Sequence, residues 1–363
     1  MILYLVGSGG NEDYIQTQQI PFNPPRLFSY FLLTTNTMTY GEMKRFEDLL
    51  EYMKKQNKRG GATMGNRRVR LFLDSGAYSA WSQGVAIDIE AYIAFIKANL
   101  AFLEAYSNLD DLNSPKDTWR NQLKMEAAGL HPIPTFHFNE DEEWIKKYLS
   151  SGKYEYIALG GMVPESTTAL QRWLDRIWRE YLCGKDGMPK VKVHGFGMTT
   201  HELIWRYPWF SIDSASWVFA GRNGGLIVPK KTDGKYDYRK RPLTIIFSEK
   251  SSEKKKVRGK HYNSLTPNEK DYFLRFLDEN HLQLGKSTIH DAPEGFVPNK
   301  ALGQRWYNRE ETQYEHVIQD GVMTNYRMRD ALNVLYYTKL GEALPEWPWK
   351  FNSGTKSLWL CEK

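Results

Sequence analysis

Cysteine is nearly absent: among 363 residues there are only Cys183 and Cys361. Two thiols so far apart exclude a disulfide framework and a multi-cysteine zinc site, and they fit a reducing cytoplasm. No apolar stretch approaches the roughly 18 residues that a membrane helix needs. The start MILYLVGSGGNEDY has no basic leader and too short an apolar run for secretion. A soluble, cytoplasmic protein without a membrane partner is therefore expected. Internal repeats are lacking, and low complexity is confined to SEKSSEKKK, residues 248–256.

Aromatics, in contrast, are plentiful. The 12 Trp and 22 Tyr suit a well-packed core and equally a protein that stacks on flat ligands. The net charge of +6 is unevenly spread: residues 230–260 hold twelve Lys or Arg against Asp233, Asp237, Glu249 and Glu253, an excess of +8 that leaves the remainder at −2. A basic segment on a near-neutral body has the pattern of a polyanion-binding element, and equally that of a solvated loop.

Short apolar, β-rich runs lie at 2–6, 28–34, 69–74, 106–110, 132–138, 155–160, 191–197 and 209–213, spaced widely enough for a crossover helix between each pair. Continuous apolar runs imply burial on both faces, as in a parallel sheet. One intervening segment carries Ile89, Tyr92, Ile93, Ile96, Leu100 and Leu103 on a helical stripe behind Asp88, an N-cap candidate. Another carries Leu170, Trp173, Leu174, Ile177, Trp178 and Tyr181, a stripe that reads as core. Eight such units predict an α/β fold, a (β/α)8 TIM barrel, formed by residues 1–225 and about 310–363. The chain runs on for about 150 residues after the eighth strand, so a basic insertion at about 226–309, a candidate polyanion-binding subdomain, is expected before a closing helix in TNYRMRDALNVLYYTKLGEAL.

Catalytic groups of such barrels sit at the C-terminal strand ends. Those ends carry Asp74, Asp110, His137, Gly160 with Gly161, Gly195 with Gly197, and Asp213. Burying an unpaired carboxylate is costly, so each Asp is expected to cap backbone amides or to carry function. Paired carboxylates suit displacement at an anomeric carbon, one attacking while the other moves protons. The glycines leave room for a planar ligand against the backbone, or simply permit tight turns.

The order of these motifs resembles that of the tRNA-guanine transglycosylase superfamily, over about residues 68 to 225. DSGAYS at Asp74 resembles its D-S-G-G-F-Q, LDD at Asp110 falls where the family keeps a base-reading Asp, LGGM at Gly160 matches its glycine pair, HGFGMTT resembles G-V-G-T-P, and SIDSASWVFAGRNG resembles the nucleophile segment D-x-x-x-P-T-R-N-x-x-x-G. Two departures stand out. The family's cysteine zinc site cannot exist here, and the Pro-Thr of the nucleophile segment is missing. The chain looks most like the zinc-free DpdA-type DNA-guanine transglycosylases of phages and bacteria, with the basic insertion in place of the zinc lobe.

The resemblance implies exchange of a flipped guanine in DNA for a free 7-deazaguanine base such as preQ0, a co-substrate, with no cofactor and no metal. Asp213 would be the nucleophile at C1′ and Asp74 the general acid and base. Asp110 would read the guanine edge; Gly160, Gly161, Gly195, Gly197, Ser75 and His137 would line the base site, with Phe136, Tyr78 and Trp217 as stacking candidates. Arg222, Lys230, Lys231, Arg239, Lys240 and Arg241 would hold phosphates. Open alternatives are the same chemistry on tRNA, a barrel metallohydrolase using His137, His194, Asp74 and Asp213 as ligands, and a non-catalytic nucleic-acid-binding barrel. A homo-oligomer is also left open.

Overall fold

The structure is a computed structural model that describes residues 1–7, 24–35, 46–51, 54, 70–247 and 260–351. The low-complexity run at 248–256 lies outside the described residues. Within them, no helix is long and apolar enough to cross a membrane. The described chain divides into two compact units: the first comprises the residues up to Ala215 and those from Leu340 on, the second residues 216–247 and 260–339. The inserted unit thus takes in more chain at both ends than the 226–309 expected.

The first unit is built on eight parallel strands: β1 (Ile2–Val6), β2 (Arg26–Ser29), β3 (Leu71–Asp74), β4 (Ala105–Tyr106), β5 (Thr135–His137), β6 (Tyr156–Gly160), β7 (Lys192–Gly195) and β8 (Ser211–Ser214). Their order in the sheet is β4-β3-β2-β1-β8-β7-β6-β5. The sheet is curled, and its two edges are joined by a parallel bridge between Ser107 and Ile133, where Ile133 N–H donates to Tyr106 O (2.9 Å) and Asn108 N–H to Ile133 O (3.0 Å). With helices alternating along the chain, this is a TIM-like α/β fold.

Helices follow strands as the patterning requires, with three corrections. The run at 28–34 is not one strand: β2 ends at Ser29 and α1 (Tyr30–Thr34) begins at once, burying Tyr30, Phe31 and Leu33. β-forming residues are overridden here by the turn that the chain must make beyond the sheet. After α2 (Ala77–Ser82) comes α3 (Ile89–Asn99), capped as expected by Asp88, whose carboxylate accepts from Glu90 N–H (2.9 Å). That helix stops before Leu100, which is exposed, whereas Leu103 packs on the core from the following loop. Then come α4 (Pro115–Ala127), α5 (Glu142–Ser150), α6 (Thr167–Ile177) and α7 (His201–Arg206). The stripe of α6 buries Leu170, Trp173, Leu174 and Ile177, and a π-helical turn over Trp178–Leu182 buries Trp178.

The second unit opens with α8 (Ser216–Arg222), followed by β9 (Gly225–Val228), a hairpin of β10 (Lys230–Thr232) and β11 (Lys235–Asp237), then β12 (Leu243–Ile246) and β13 (Lys260–His261). Asp233 and Gly234, both at positive φ, make the tight hairpin turn that an Asp-Gly pair favours. α9 (Pro267–Glu279) carries a capping box between Thr266 and Glu269 and buries Phe273, Phe276 and Leu277 against Leu226, Val228 and Ile245. β14 (Lys286–Asp291), β15 (Gln304–Trp306) and β16 (Gln313–Gln319) form an antiparallel sheet.

The third correction concerns the final helix, α10 (Tyr326–Ala343). It does not serve wholly as a barrel closure, since through Lys339 it belongs to the inserted unit, where Leu332 joins the core. Its Asn333, fully buried, accepts from Ile227 N–H (2.8 Å) and donates to Trp217 O (3.1 Å) and Gly225 O (3.3 Å). Asn333→Ala removes all three of these buried hydrogen bonds, so chemical denaturation is expected to register a loss of about 2 to 4 kcal/mol; a loss under about 1 kcal/mol would mean the bonds are replaced by water.

Candidate active site

All of the strand-end groups named above fall in the first unit, whereas Trp217, Arg222 and the basic segment belong to the second. On β3 the side chains alternate, so Phe72 and Asp74 share the inner face; on β8 Ser211 and Asp213 do the same, and on β5 Thr135 and His137. Tyr4, Phe72 and Ala158 pack together inside the curl, beneath the carboxylates.

Asp74 is held by two donors: Gly76 N–H to Oδ2 (3.0 Å) and Ser107 Oγ–H to Oδ1 (3.3 Å). These bonds are outweighed. Burial, followed by the charges of Asp110 and Asp213, raises its carboxyl to about 8. Asp74 therefore feels both Asp213 from the end of β8 and Asp110, which lies not in a strand running to 110, as expected, but in the loop that follows the short β4.

A continuous polar chain runs from Asp74 around the rim. Ser75 N–H donates to Ser107 Oγ (3.0 Å) and Ser75 Oγ–H to Asp110 Oδ1 (3.1 Å). The other Asp110 oxygen faces His137 Nε2 at 2.8 Å, and His137 Nδ1 faces Glu140 Oε1 at 2.7 Å. Burial alone would lower the imidazole, but the bonds to Asp110 and Glu140 and their charges raise it to about 10. His137 is thus an imidazolium clamped between two carboxylates, with both N–H groups committed. It orients Asp110 and has no donor left with which to read a base.

The glycines serve this clamp. A Cβ on Gly160 would lie 2.9 Å from His137 Cδ2, and one on Gly161, at φ +66°, would lie 3.1 Å from His137 Cβ. The pair makes space for the imidazole before any ligand is considered. Gly195 faces the other way, its α-carbon against the Trp209 ring, so it is a packing residue. Gly197, at φ +61°, turns its N–H onto Asp213. Gly76 is fixed by sterics as well: at φ +80° it also has Ser29 Oγ 2.3 Å from where a Cβ would be.

Asp213, buried, receives both of its hydrogen bonds on one oxygen: Gly197 N–H (2.9 Å) and His194 Nε2 (3.2 Å) reach Oδ1. Among the described residues nothing bonds Oδ2. Behind it, His194 Nδ1 meets Ser211 Oγ (2.6 Å), which in turn meets Tyr156 OH.

Of the stacking candidates, Phe136 is displaced outward: fully buried, its ring stacks on Trp173 with centroids 6.0 Å apart, because it alternates with Thr135 and His137. Trp217 is buried in the second unit. Tyr78 is half exposed on α2, paired with a similarly exposed Trp81 at 6.1 Å. In the basic segment, Lys231 is bound to Glu279 (2.6 Å) and lies over Tyr236, so a phosphate would have to compete with that pair. Arg222, Arg239 and Arg241 are exposed, and Lys230 and Lys240 are partly buried.

As a metal-ligand set, His137, His194, Asp74 and Asp213 do not fit: each imidazole has both nitrogens engaged by the protein. Among the described residues no cluster of three or more His, Cys, Asp and Glu could hold a metal ion. Sequence reasoning missed Glu140, Ser107 and Ser211, and met His194 only as a ligand candidate. Two-residue alternation on β7 and β8 is the signal that would have found His194 and Ser211.

No family model and no curated protein matches the chain. A solved structure from Aquifex aeolicus VF5, described as a structural study of a project ID, is 13% identical, covering 60% of this chain and 84% of that one with a TM-score of 0.36. Such a likeness carries no functional weight.

The raised carboxyl of Asp74 has a thermodynamic signature. Its folded pKa exceeds the unfolded value of 3.8, so the native state binds the extra proton and wild-type stability falls as pH rises between about 4 and 8. Asp74→Asn removes that penalty. Its advantage over wild type in denaturant unfolding should widen through this window and exceed about 1 kcal/mol at pH 8; a gap that stays flat with pH would contradict the raised pKa.

Proposed function

We propose that this protein is a DNA-guanine transglycosylase, exchanging guanine in DNA for a 7-deazaguanine such as preQ0, at the mouth of a (β/α)8 barrel. The observation that carries the reading is a division of labour between carboxylates: Asp213 keeps one oxygen without a partner among the described residues, while Asp74 is raised to about 8 and so holds its proton near neutral pH. The resemblance in the order of motifs suggests the identity of the bases, and the choice of DNA over tRNA rests on the missing cysteine zinc site, which is shared with the zinc-free branch.

In this reaction a flipped deoxyguanosine enters the mouth. Asp213 Oδ2 attacks C1′ as the bond to the base breaks, and Asp74 gives its proton to the departing guanine, leaving a deoxyribosyl ester on Asp213. The incoming 7-deazaguanine yields its N9 proton to Asp74 and attacks C1′, which releases the Asp213 carboxylate. Asp110, oriented by Ser75 and the His137 imidazolium, keeps lone pairs to accept from N1–H and the 2-amino group. Adenine offers neither donor. Arg222, Lys230, Arg239, Lys240 and Arg241 are candidate phosphate contacts, which makes binding fall with salt.

Mass-spectrometric nucleoside analysis of duplex DNA and of tRNA incubated with the protein and preQ0 is the direct test. The modified base is expected in DNA; labelling confined to tRNA would reassign the substrate, and labelling of neither would remove the activity. Asp213→Ala should abolish exchange, and Asp74→Asn should slow it by about 100-fold or more. Release of guanine, which needs protonated Asp74, should fall as pH rises through about 8.

A further inference from the structure

We propose that His194 is a positioning residue whose tautomer is set by Tyr156 through Ser211, so that Asp213 presents a single oxygen for bond formation. The hydrogen bonds can be counted outward from the deepest group. Tyr156 OH has one partner among the described residues, Ser211 Oγ at 2.5 Å. Burial keeps that phenol protonated, and a buried O–H needs an acceptor, so Tyr156 donates to Ser211. The Ser211 hydrogen then goes to its other neighbour, His194 Nδ1, at 2.6 Å. With Nδ1 an acceptor, the ring proton lies on Nε2, which faces Asp213 Oδ1 at 3.2 Å. The opposite direction, with Nδ1 and Tyr156 both donating, would occupy both lone pairs of Ser211 Oγ and leave the Ser211 hydrogen without an acceptor among these three groups.

The ring has no room to choose another orientation. His194 is fully buried, with Phe72 at 4.6 Å, Phe196 at 4.5 Å and Tyr4 at 6.2 Å between ring centroids. Gly197 N–H adds a second donor to the same Asp213 oxygen at 2.9 Å. Both donors therefore hold Oδ1 and leave the electron pairs of Oδ2 to react. In the ester that forms when Oδ2 bonds to C1′, Oδ1 becomes the carbonyl oxygen and keeps both donors. The same two N–H groups serve the carboxylate when the incoming base breaks that bond. No proton moves along Tyr156, Ser211 and His194 in either step.

The kinetic part rests on the function proposed above, whereas the tautomer assignment stands on hydrogen-bond geometry alone, and one experiment separates them. Nitrogen-15 NMR of His194 in the labelled protein should report a ring protonated at Nε2 and not at Nδ1. A ring protonated at Nδ1, or an imidazolium at neutral pH, would overturn the inference whether or not the protein exchanges bases. Ser211→Ala removes the donor to Nδ1 and should give a tautomer mixture and about tenfold slower single-turnover guanine release, with the Kd for DNA unchanged. Ser211→Thr, which restores the hydroxyl, should recover the single tautomer and a rate within about twofold of wild type. An unaltered tautomer in Ser211→Ala would sink the role given to Ser211. If that variant fails to fold, Tyr156→Phe replaces it, freeing the Ser211 hydroxyl to turn and so mixing the tautomers. Wild-type protein that exchanges no base but shows the Nε2–H ring would defeat the proposed function and leave this assignment intact.

Discussion

The burial of Asp74 beside the charges of Asp110 and Asp213 is the constraint around which the rest of the strand-end structure is arranged. Each carboxylate meets it differently. Asp110 is matched by an opposite charge, the His137 imidazolium, which Glu140 holds from behind. Asp213 is matched by dipoles, a backbone N–H and a neutral ring donor on one oxygen. Asp74, left with only two ordinary donors, takes up a proton. One electrostatic conflict thereby yields three groups of different chemical character within one mouth.

That arrangement reaches into the backbone. The His137 clamp needs an imidazole where β6 ends, and only bare α-carbons at Gly160 and Gly161 leave it room. The Asp213 oxygen needs an N–H aimed inward after β7, and Gly197 provides it from a left-handed conformation. Gly76 lets the turn after β3 press against the turn after β2 at Ser29 and Phe31. In each case the glycine is tied to a polar group or a turn of the protein itself.

Much of this was legible in the sequence. The strand sites, the Asp88 cap, the α6 stripe and the three rim carboxylates could be read from apolar runs that stop at a charge. What could not be read depended on direction or on contact. Phe136 was expected at the ligand face, but period-two alternation with His137 sends it into the helix layer. FSYFLLT reads as strand by propensity, yet its second half is α1. Glu140 escaped notice because it returns to His137 around a turn through Asn139 at φ +62°, a contact that no linear spacing announces. The Lys231 pairing with Glu279 was hidden for the same reason: 48 residues separate the partners.

The uneven solvation of Asp213 bears on the order of events in the proposed exchange. With Oδ1 tied down by two donors, one oxygen faces the sugar from one side, and both bases must occupy the opposite side. They cannot do so together. In the proposed exchange the outgoing guanine must clear the mouth before the incoming base binds, so the DNA would meet the free protein and the incoming base the covalent form, in ping-pong fashion. A free 7-deazaguanine arriving early would meet an occupied mouth, and abundant free guanine would simply run the first half of the reaction backwards.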